Sequence, residues 1–413
     1  MIKRNIPSKK KGTDMQPLRR LWCRTFQGVF RLALPVLPYR SPERLHAVED
    51  IPALCRERGV ASVLLVTDAG IRGAGLTEPL ERALAEAGVA CWVYDRTVPN
   101  PTIQNVEEAR ALYLEHGAQA IIAFGGGSSM DCAKTAGARV AKPRQSVPQM
   151  RGLLKVHRRL PLLIAVPTTA GTGSETTLAA VITDSQAHHK YPINDFSLIP
   201  RYAVLDYRVT LGLPPQVTAS TGMDALTHAV EAYIGRSTTA ETRAMAEQAV
   251  TLIHRWLKTA YDDGQNAEAR RGMLEAAYCA GVAFTKSYVG YVHAVAHSLG
   301  GQYGTPHGLA NAVLLPIVLR MYGPACQKKL SRLARRSGVA PEGLDDPAAA
   351  RAFLDWVQEM NDSMGLPRTL PEIREEDIPA MAAHADREGN PLYPVPVLMD
   401  RRELEQIYYA VKG

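Results

Sequence analysis

Two pairs of side chains have the spacing of metal ligands on helices. Asp224 and His228 are four residues apart in GMDALTHAVEAY, and His293 and His297 are four apart in HAVAHSLGGQYGTPHG. Residues four apart project from one face of a helix, so the two side chains of each pair can bind a single cation. His307 follows in the second stretch, within a segment that contains proline and glycine.

One carboxylate and several imidazoles suit Fe(II), Zn(II) and similar metals, and they do not suit Ca(II) or Mg(II). A single Asp-x-x-x-His pair is weak evidence, because histidines without a metal are common in helices. Three of the eleven histidines within fifteen residues are harder to explain by core packing. The pattern predicts a metal centre, but it does not decide whether all three of these histidines are ligands.

A glycine-rich turn indicates a second kind of site. FGGGSSMDCAK (124–134) follows the apolar run AIIAFG. Glycines let the backbone approach a ligand, and Ser128 or Ser129 could cap a helix that begins there. The N-terminus of such a helix suits a pyrophosphate. The motif is neither GxGxxG nor GxxxxGK[ST], so a tight turn without a ligand is the alternative.

A second polar loop and one acidic residue extend this interpretation. PTTAGTGSETT (167–177) also follows an apolar run, and two such loops at strand ends predict one extended ligand across them. Asp68 ends another apolar run, where it could accept hydrogen bonds from ribose hydroxyls and disfavour a 2′-phosphate. It could equally cap a helix or a turn.

Apolar runs alternate with helical patterns in the first half of the chain. We predict helices at 77–88 and 103–117, and buried strands at 62–67, 91–95, 120–125, 162–167 and 202–206. This alternation predicts an α/β domain with a mostly parallel sheet over residues 41–211. Beyond LGLPP (211–215) the pattern is helical, which predicts an all-α domain over residues 212–413.

Residues 1–40 form a basic extension. They carry ten of the 48 Lys and Arg residues against one acid, which leaves the remaining chain almost neutral. A nucleic-acid-binding domain would carry its charge on the folded surface, so that class is disfavoured. Residues 17–34 have the period of a basic amphipathic helix, with Leu18, Trp22 and Val29 on one side and Arg24 and Gln27 on another. It could contact a membrane, direct targeting, or pack its apolar side on the body or a neighbouring subunit.

The six cysteines are scattered and form no CxxC pair, which favours a reducing compartment. Apolar runs are shorter than the ~18–20 residues that cross a bilayer. We therefore expect a cytoplasmic protein, with peripheral membrane contact through residues 17–34 as an open alternative.

Taken together, these motifs resemble the iron-containing (group III) alcohol dehydrogenase family. The similar stretches cover about residues 41–413 and occur in family order: VTD (66–68), PNPT (99–102), GGGSSMDCAK (125–134), PTTAGTGSE (167–175), VITD (181–184), TGMDALTHAVEAY (221–233) and HAVAHSLGGQYGTPHGLANAVLLP (293–316). Residues 1–40 lie outside the resemblance.

The resemblance implies a dinucleotide-binding α/β domain followed by an all-α metal domain, a dehydroquinate synthase-like fold, in a homo-oligomer such as a dimer. It implies the metal ligands Asp224, His228, His293 and His307, with His297 as a non-ligand catalytic residue and Phe284 in the substrate pocket. It places the cofactor on Asp68, Gly126, Gly127, Ser128, Ser129, Thr168, Thr169, Thr177 and Lys190.

The implied activity is hydride transfer between a small primary alcohol or diol and NAD, with Fe(II), or alternatively zinc, in the site. The alternative is a glycerol dehydrogenase or a dehydroquinate synthase-like enzyme of the same fold. A synthase needs basic residues for a phosphorylated substrate, and no basic cluster lies beside TGMDALTHAVEAY.

Overall fold

The computed structural model describes residues 15–185 and 189–413, without the side chain of His189. Its strands are β1 (Glu43–Leu45), β2 (Ser62–Val66), β3 (Ala90–Tyr94), β4 (Ala120–Gly125), β5 (Gly152–Leu153), β6 (Leu162–Pro167), β7 (Ala179–Asp184), β8 (His189–Asn194) and β9 (Tyr202–Val204). Six of them form one sheet in the order β1-β9-β6-β4-β2-β3. All of its pairings are parallel, which confirms the predicted sheet.

Helices cover both faces of this sheet. In chain order the first six are α1 (Pro17–Ala33), α2 (Asp50–Glu57), α3 (Ala69–Gly73), α4 (Glu78–Glu86), α5 (Ile103–Glu115) and α6 (Gly127–Ala141). Leu64 of β2 belongs to the core under α5 and α6, whereas the next residue, Leu65, belongs to the core under α2 and α4. Successive strand residues point to opposite faces, so both must be apolar in a sheet that is covered on both sides.

A second, three-stranded sheet was not predicted. Its order is β5-β8-β7, and β7 and β8 pair antiparallel. The strand β1 was also missed. The strands β1 and β5 are short, β8 contains Pro192, and β7 is buried only at every second residue before it ends at Thr183 and Asp184. They therefore lack the continuous apolar runs from which the central strands were predicted.

The rest of the chain is helical, as predicted. Its helices are α7 (Pro215–Ile234), α8 (Ala240–Asp262), α9 (Ala267–Ser287), α10 (Tyr291–Tyr303), α11 (His307–Tyr322), α12 (Pro324–Arg336), α13 (Asp346–Ser363), α14 (Ile378–Gly389) and α15 (Arg401–Val411). They enclose one large apolar core of their own. In the part of the chain that the structure describes, no helix is both long and apolar enough to cross a membrane.

The helix α1 packs on the helical body with its polar side rather than with its apolar side. The Arg19 guanidinium donates to both Asp386 carboxylate oxygens at 2.8 Å, and Gln27 Nε2 donates to the Tyr393 carbonyl at 2.7 Å. Cys23 and Gln27 are buried, whereas Leu18 and Trp22 are exposed. The helix itself is confirmed, but the expectation that its apolar side packs on the body is wrong, because the body offers fixed acceptors to its polar side.

Candidate active site

Three helices bring four potential metal ligands together. The helix α7 carries Asp224 and His228 on successive turns, α10 carries His293, and His307 is the first residue of α11. One ligand atom from each of these residues lies within 4.8 Å of those from all the others. Asp224 Oδ1 is 3.9 Å from His293 Nε2 and 3.5 Å from His307 Nε2.

The protonation states of these histidines fit a metal site. Burial lowers the pKa of His307 to about 4, lowers the pKa of His228 and places the pKa of His293 well below its ordinary value. The imidazoles are therefore neutral at pH 7, as metal ligands must be. His228 Nδ1 is also buried without a hydrogen-bond partner among the described residues. Buried polar atoms normally have a partner, and the lone pair of a neutral imidazole nitrogen can bind a metal cation.

Two further residues, absent from the sequence-based predictions, hold these ligands in place. The buried Glu231 carboxylate lies 2.6 Å from His293 Nδ1 and accepts hydrogen bonds from the Gly290 and Val292 amides at 2.7 and 2.8 Å. Burial raises the pKa of Glu231 to about 7, and the amide hydrogen bonds act in the opposite direction. A proton on His293 Nδ1 directed at Glu231 leaves Nε2 free for a metal.

Asn311 supports the carboxylate ligand. Its Nδ2 donates to Asp224 Oδ1 at 2.6 Å, and the side chain is fully buried. The sequence carried a signal for both supporting residues: Glu231 lies three residues after His228, and Asn311 lies four residues after His307. Each spacing places the supporting residue on the same helix face as a ligand of its own helix, from which it reaches a ligand on another helix.

His297 lies beside this cluster but outside the group of four ligands. Its Nδ1 is 2.6 Å from Glu388 Oε1, which also accepts from the Tyr393 hydroxyl at 2.6 Å. Its ring stacks against His307 with 5.1 Å between centroids. Burial lowers the pKa of His297, but the Glu388 carboxylate outweighs it, so the pKa lies above the ordinary value. Glu388 is distant in sequence and carried no local signal.

Phe284 covers the other side of the cluster. Its ring stacks on His228 with 4.1 Å between centroids and an angle of 12°. The predicted pocket residue therefore contacts a ligand directly, and its role toward the substrate stays a prediction.

A second group of predicted residues lies where β2, β4 and β6 end. Asp68 caps α3 by accepting from the Ile71 amide at 3.0 Å, and its other oxygen accepts from Ser129 Oγ at 3.3 Å. The structure is therefore compatible with both roles considered for Asp68, because one oxygen caps a helix and the other faces the glycine turn. This is the point where the strand order reverses around β2, which is where ligands bind in open α/β sheets.

The glycine turn has the shape of a phosphate cradle. A Cβ at Gly125 would lie 2.5 Å from Ser129 Oγ, and one at Gly127 would lie 3.2 Å from Thr172 Cγ2. The helix α6 begins at Gly127 with Gly126 as its N-cap and without a side-chain cap. The expectation that Ser128 or Ser129 caps this helix is wrong, because both lie within its first turn. The backbone amides at the N-terminus of α6 therefore have no side-chain cap and can bind an anionic ligand.

The threonine loop joins the two halves. The Thr168 amide donates to the Gly125 carbonyl at 3.1 Å, and Thr169 lies against Gly126. Further along, a Cβ at Gly171 would lie 2.6 Å from Thr221 Cβ in α7, so this loop contacts the helix that carries Asp224 and His228.

Thr177 and Lys190 each take part in a hydrogen bond with another side chain. The Thr177 hydroxyl accepts from Lys134 Nζ at 2.8 Å, and Lys190 Nζ donates to Asn100 Oδ1 at 2.7 Å. Their roles in cofactor binding, like those of Ser128, Thr168 and the other residues of this group, stay predictions.

Lys134 was not predicted as a functional residue. It is completely buried, and its Nζ donates to the Ser174 carbonyl at 2.6 Å, the Ala179 carbonyl at 2.9 Å and both hydroxyls of Ser174 and Thr177. Burial lowers the pKa of Lys134 to about 8, against the raising effect of Asp131 and Glu175. The side chain fastens α6 to the end of the threonine loop.

Comparisons with known proteins agree on one family. Residues 43–207 match the family described as iron-containing alcohol dehydrogenase, and residues 218–411 match the C-terminal part of the Fe-containing alcohol dehydrogenase family. The 1,3-propanediol dehydrogenase of Klebsiella pneumoniae is 38% identical over 366 residues, which cover 88% of this chain and 94% of that protein.

Solved structures show the same relation. The crystal structure of a 1,3-propanediol oxidoreductase superposes with a TM-score of 0.86 at 36% identity, covering 90% of this chain and 98% of the other. Sulfoacetaldehyde reductase from Bifidobacterium kashiwanohense in complex with NAD+ has a TM-score of 0.81 at 27% identity, with coverages of 91% and 98%.

Proposed function

Because this chain belongs to the iron-containing alcohol dehydrogenase family, we propose that it interconverts a small primary alcohol or diol and the corresponding aldehyde. The family makes it an oxidoreductase with NAD and a divalent metal as cofactors. The observation that carries the proposal is the buried group Asp224, His228, His293 and His307. The helix α7, which carries Asp224 and His228, contacts the threonine loop beside the glycine turn.

The residues divide the chemistry between them. When bound, the metal supplies Lewis acidity to the alcohol oxygen and the nicotinamide accepts the hydride. Three imidazoles and the Asp224 carboxylate hold the metal. Glu231 orients the imidazole of His293, and Asn311 orients the carboxylate of Asp224. The turn at Gly126–Ser129 binds the pyrophosphate, and Asp68 binds the ribose. Phe284, stacked on His228, excludes water from one side.

His297 handles the proton that the alcohol loses. Its Nδ1 is held by Glu388, so Nε2 is the atom that receives or releases a proton. Since its side chain is 42% exposed, it connects the buried ligands with solvent. Glu388 keeps the ring in this orientation.

The remaining expectations are proposals as well. We divide the chain into an extension (1–40), an NAD-binding domain (41–211) and a metal-binding domain (212–413). A cytoplasmic location is supported by the six free cysteines. A dimer is supported by β1, which pairs with β9 at one edge of the sheet and has no second strand beside it among the described residues, so a strand of another copy could add there. Peripheral membrane contact through residues 17–34 is a further proposal, with contact to a neighbouring subunit as its alternative, and it is supported by the exposed side chains of Leu18, Trp22 and Val29.

A cofactor and substrate screen tests the catalytic proposal. Protein purified without oxygen and loaded with Fe(II) or Zn(II) is mixed with NAD or NADP and with 1,3-propanediol, ethanol or 1-propanol. We expect absorbance from NADH with at least one alcohol, and a preference for NAD that Asp68→Gly weakens. No turnover in either direction with either metal would contradict the proposal.

A further inference from the structure

The polar side of α1 packs on the segment that carries Glu388. This segment, residues 386–396, runs from the last turn of α14 into the loop that leads to α15. Glu388 Oε1 lies 2.6 Å from His297 Nδ1 and also accepts from the Tyr393 hydroxyl. The position of the His297 ring therefore depends on where this segment lies. The match to the family begins at residue 43, after α1, so it assigns no role to this helix.

One contact holds the helical end of the segment. Arg19 Nη2 donates to both carboxylate oxygens of Asp386 at 2.8 Å. Asp386 Oδ1 also accepts from Asn390 Nδ2 at 2.8 Å, and Asn390 Oδ1 accepts from the Tyr291 hydroxyl at 2.8 Å. Tyr291 is the first residue of α10, the helix that carries His297. Arg19 is therefore connected through buried side chains both to α14 and to α10.

The loop part of the segment is held at its backbone. Four of its carbonyls accept hydrogen bonds from Arg24 or Gln27 of α1, namely those of Pro391, Tyr393, Val395 and Pro396. The shortest of these joins Gln27 Nε2 to the Tyr393 carbonyl at 2.7 Å, and Gln27 is 5% exposed. Backbone carbonyls that are buried need a donor, and a loop does not obtain one from a helix or sheet of its own. The helix α1 supplies these donors, so it fixes the residue whose hydroxyl holds Glu388.

We propose that α1 is a clamp on residues 386–396, and that Arg19 and Gln27 are positioning residues for the proton transfer at His297. They hold the segment of Glu388, and Glu388 holds the ring. The inference rests on the proposed function, because the position of this ring affects the rate only if His297 serves the reaction. A misplacement of ~1 Å that is caused far from the reacting atoms costs up to about 10²-fold in rate. A contact that only stabilised the fold would leave the rate of the folded enzyme unchanged.

Arg19→Met tests the clamp in the full, metal-loaded chain. It removes the donor to Asp386 and keeps a side chain of similar length. We expect kcat to fall by about tenfold, within the range that misplacement costs. The KM for NAD and the metal content should stay at wild-type values, because the glycine turn and the four ligands are untouched. Arg19→Lys keeps a charged donor and should recover part of kcat. The matched control is Arg20→Met, which changes the exposed arginine next to Arg19 and should leave kcat unchanged.

Hydrogen exchange measures the clamp itself. In Arg19→Met the amides of residues 386–396 should exchange faster than in the wild type, and in Arg20→Met they should exchange at the wild-type rate. Gln27→Met removes the donor to the Tyr393 carbonyl and should have the same two effects, on exchange and on kcat. It takes the place of Arg19→Met if that variant does not fold.

A double-variant cycle tests whether the clamp acts through Glu388. In Glu388→Ala the ring has already lost this partner, so the addition of Arg19→Met should lower kcat by less than about twofold further, within the additivity of independent sites. Faster exchange with an unchanged kcat would overturn the proposal, and so would an equal loss of kcat with and without Glu388. Absence of alcohol turnover in the wild type would remove the proposed function and this inference with it. Normal wild-type turnover with either of the first two results would remove the inference alone.

Discussion

The histidines of the segment 293–307 differ in their partners rather than in their spacing. His293 directs Nδ1 at Glu231, which is buried, whereas His297 directs Nδ1 at Glu388 in a half-exposed position. A buried carboxylate that fixes one imidazole nitrogen leaves the other nitrogen to a metal. A partly solvated pair of the same kind suits proton exchange. The chemistry therefore separates two residues that are equivalent in sequence.

This division gives the first prediction. His293→Ala and His307→Ala should lose the bound metal, because each removes one of four ligands. His297→Ala should keep the metal and lower kcat by about 10²–10⁴-fold, the range typical of general acid–base catalysis. Metal content and kcat measured on the same preparations check it. An empty site in His297→Ala would show that this histidine is a ligand.

Glu231 gives the second prediction. Glu231→Gln should weaken metal binding by about 10–100-fold, the effect typical of removing a carboxylate that orients a ligating histidine. The measurement is metal affinity by competition with a chelator. Glu247→Gln is the control, because Glu247 lies on α8 and accepts a hydrogen bond from the hydroxyl of Tyr233 near the end of α7, outside the group of four ligands. Unchanged metal affinity in Glu231→Gln would show that Glu231 does not support His293 as a ligand.

At the scale of single residues, type and spacing predicted a metal centre, the resemblance to the family implied its four ligands, and neither pointed to Glu388 beside His297. Spacing alone does not separate His297 from His293 and His307. Glu388 lies 91 residues from the histidine that it contacts. A pairing of that kind depends on how helices pack, and spacing within one helix carries no information about it.

At the scale of elements, the central strands were predictable because both their faces are buried. The predicted strand 120–125 coincides with β4, all six residues of which are buried. The strands β5, β7 and β8 escaped prediction because β5 has only two residues and because β7 and β8 are partly exposed and lack a continuous apolar run. For α1 the spacing of apolar residues predicted the helix. Which side of it packs on the body depended on Asp386 and on carbonyls far along the chain.

Lys134 gives the prediction at this scale. Lys134→Met should lower the free energy of unfolding by about 3 kcal/mol, because buried carbonyls and hydroxyls lose their donor. It should also raise the KM for NAD, since the threonine loop is no longer fastened to α6. Chemical denaturation and initial rates measure the two effects. Lys142→Met, at the partly exposed residue that follows α6, is the control. Wild-type stability and KM in Lys134→Met would contradict this role.

At the scale of the whole molecule, the metal group connects helices that are distant in sequence. The ligands come from α7, α10 and α11, and α7 also contacts the threonine loop at Gly171. A metal that binds only the folded chain stabilises it by about 2.7 kcal/mol at a concentration 100 times the dissociation constant. Stability and activity should therefore depend on the same ion.

Removal and return of the metal test this account most directly. Protein purified without oxygen is treated with a chelator and then supplied with Fe(II) or Mg(II), while alcohol-dependent NADH formation and the unfolding temperature are measured on the same samples. We predict that chelation abolishes NADH formation and lowers the unfolding temperature, that Fe(II) restores both and that Mg(II) restores neither. Undiminished NADH formation by the metal-free protein would contradict the account.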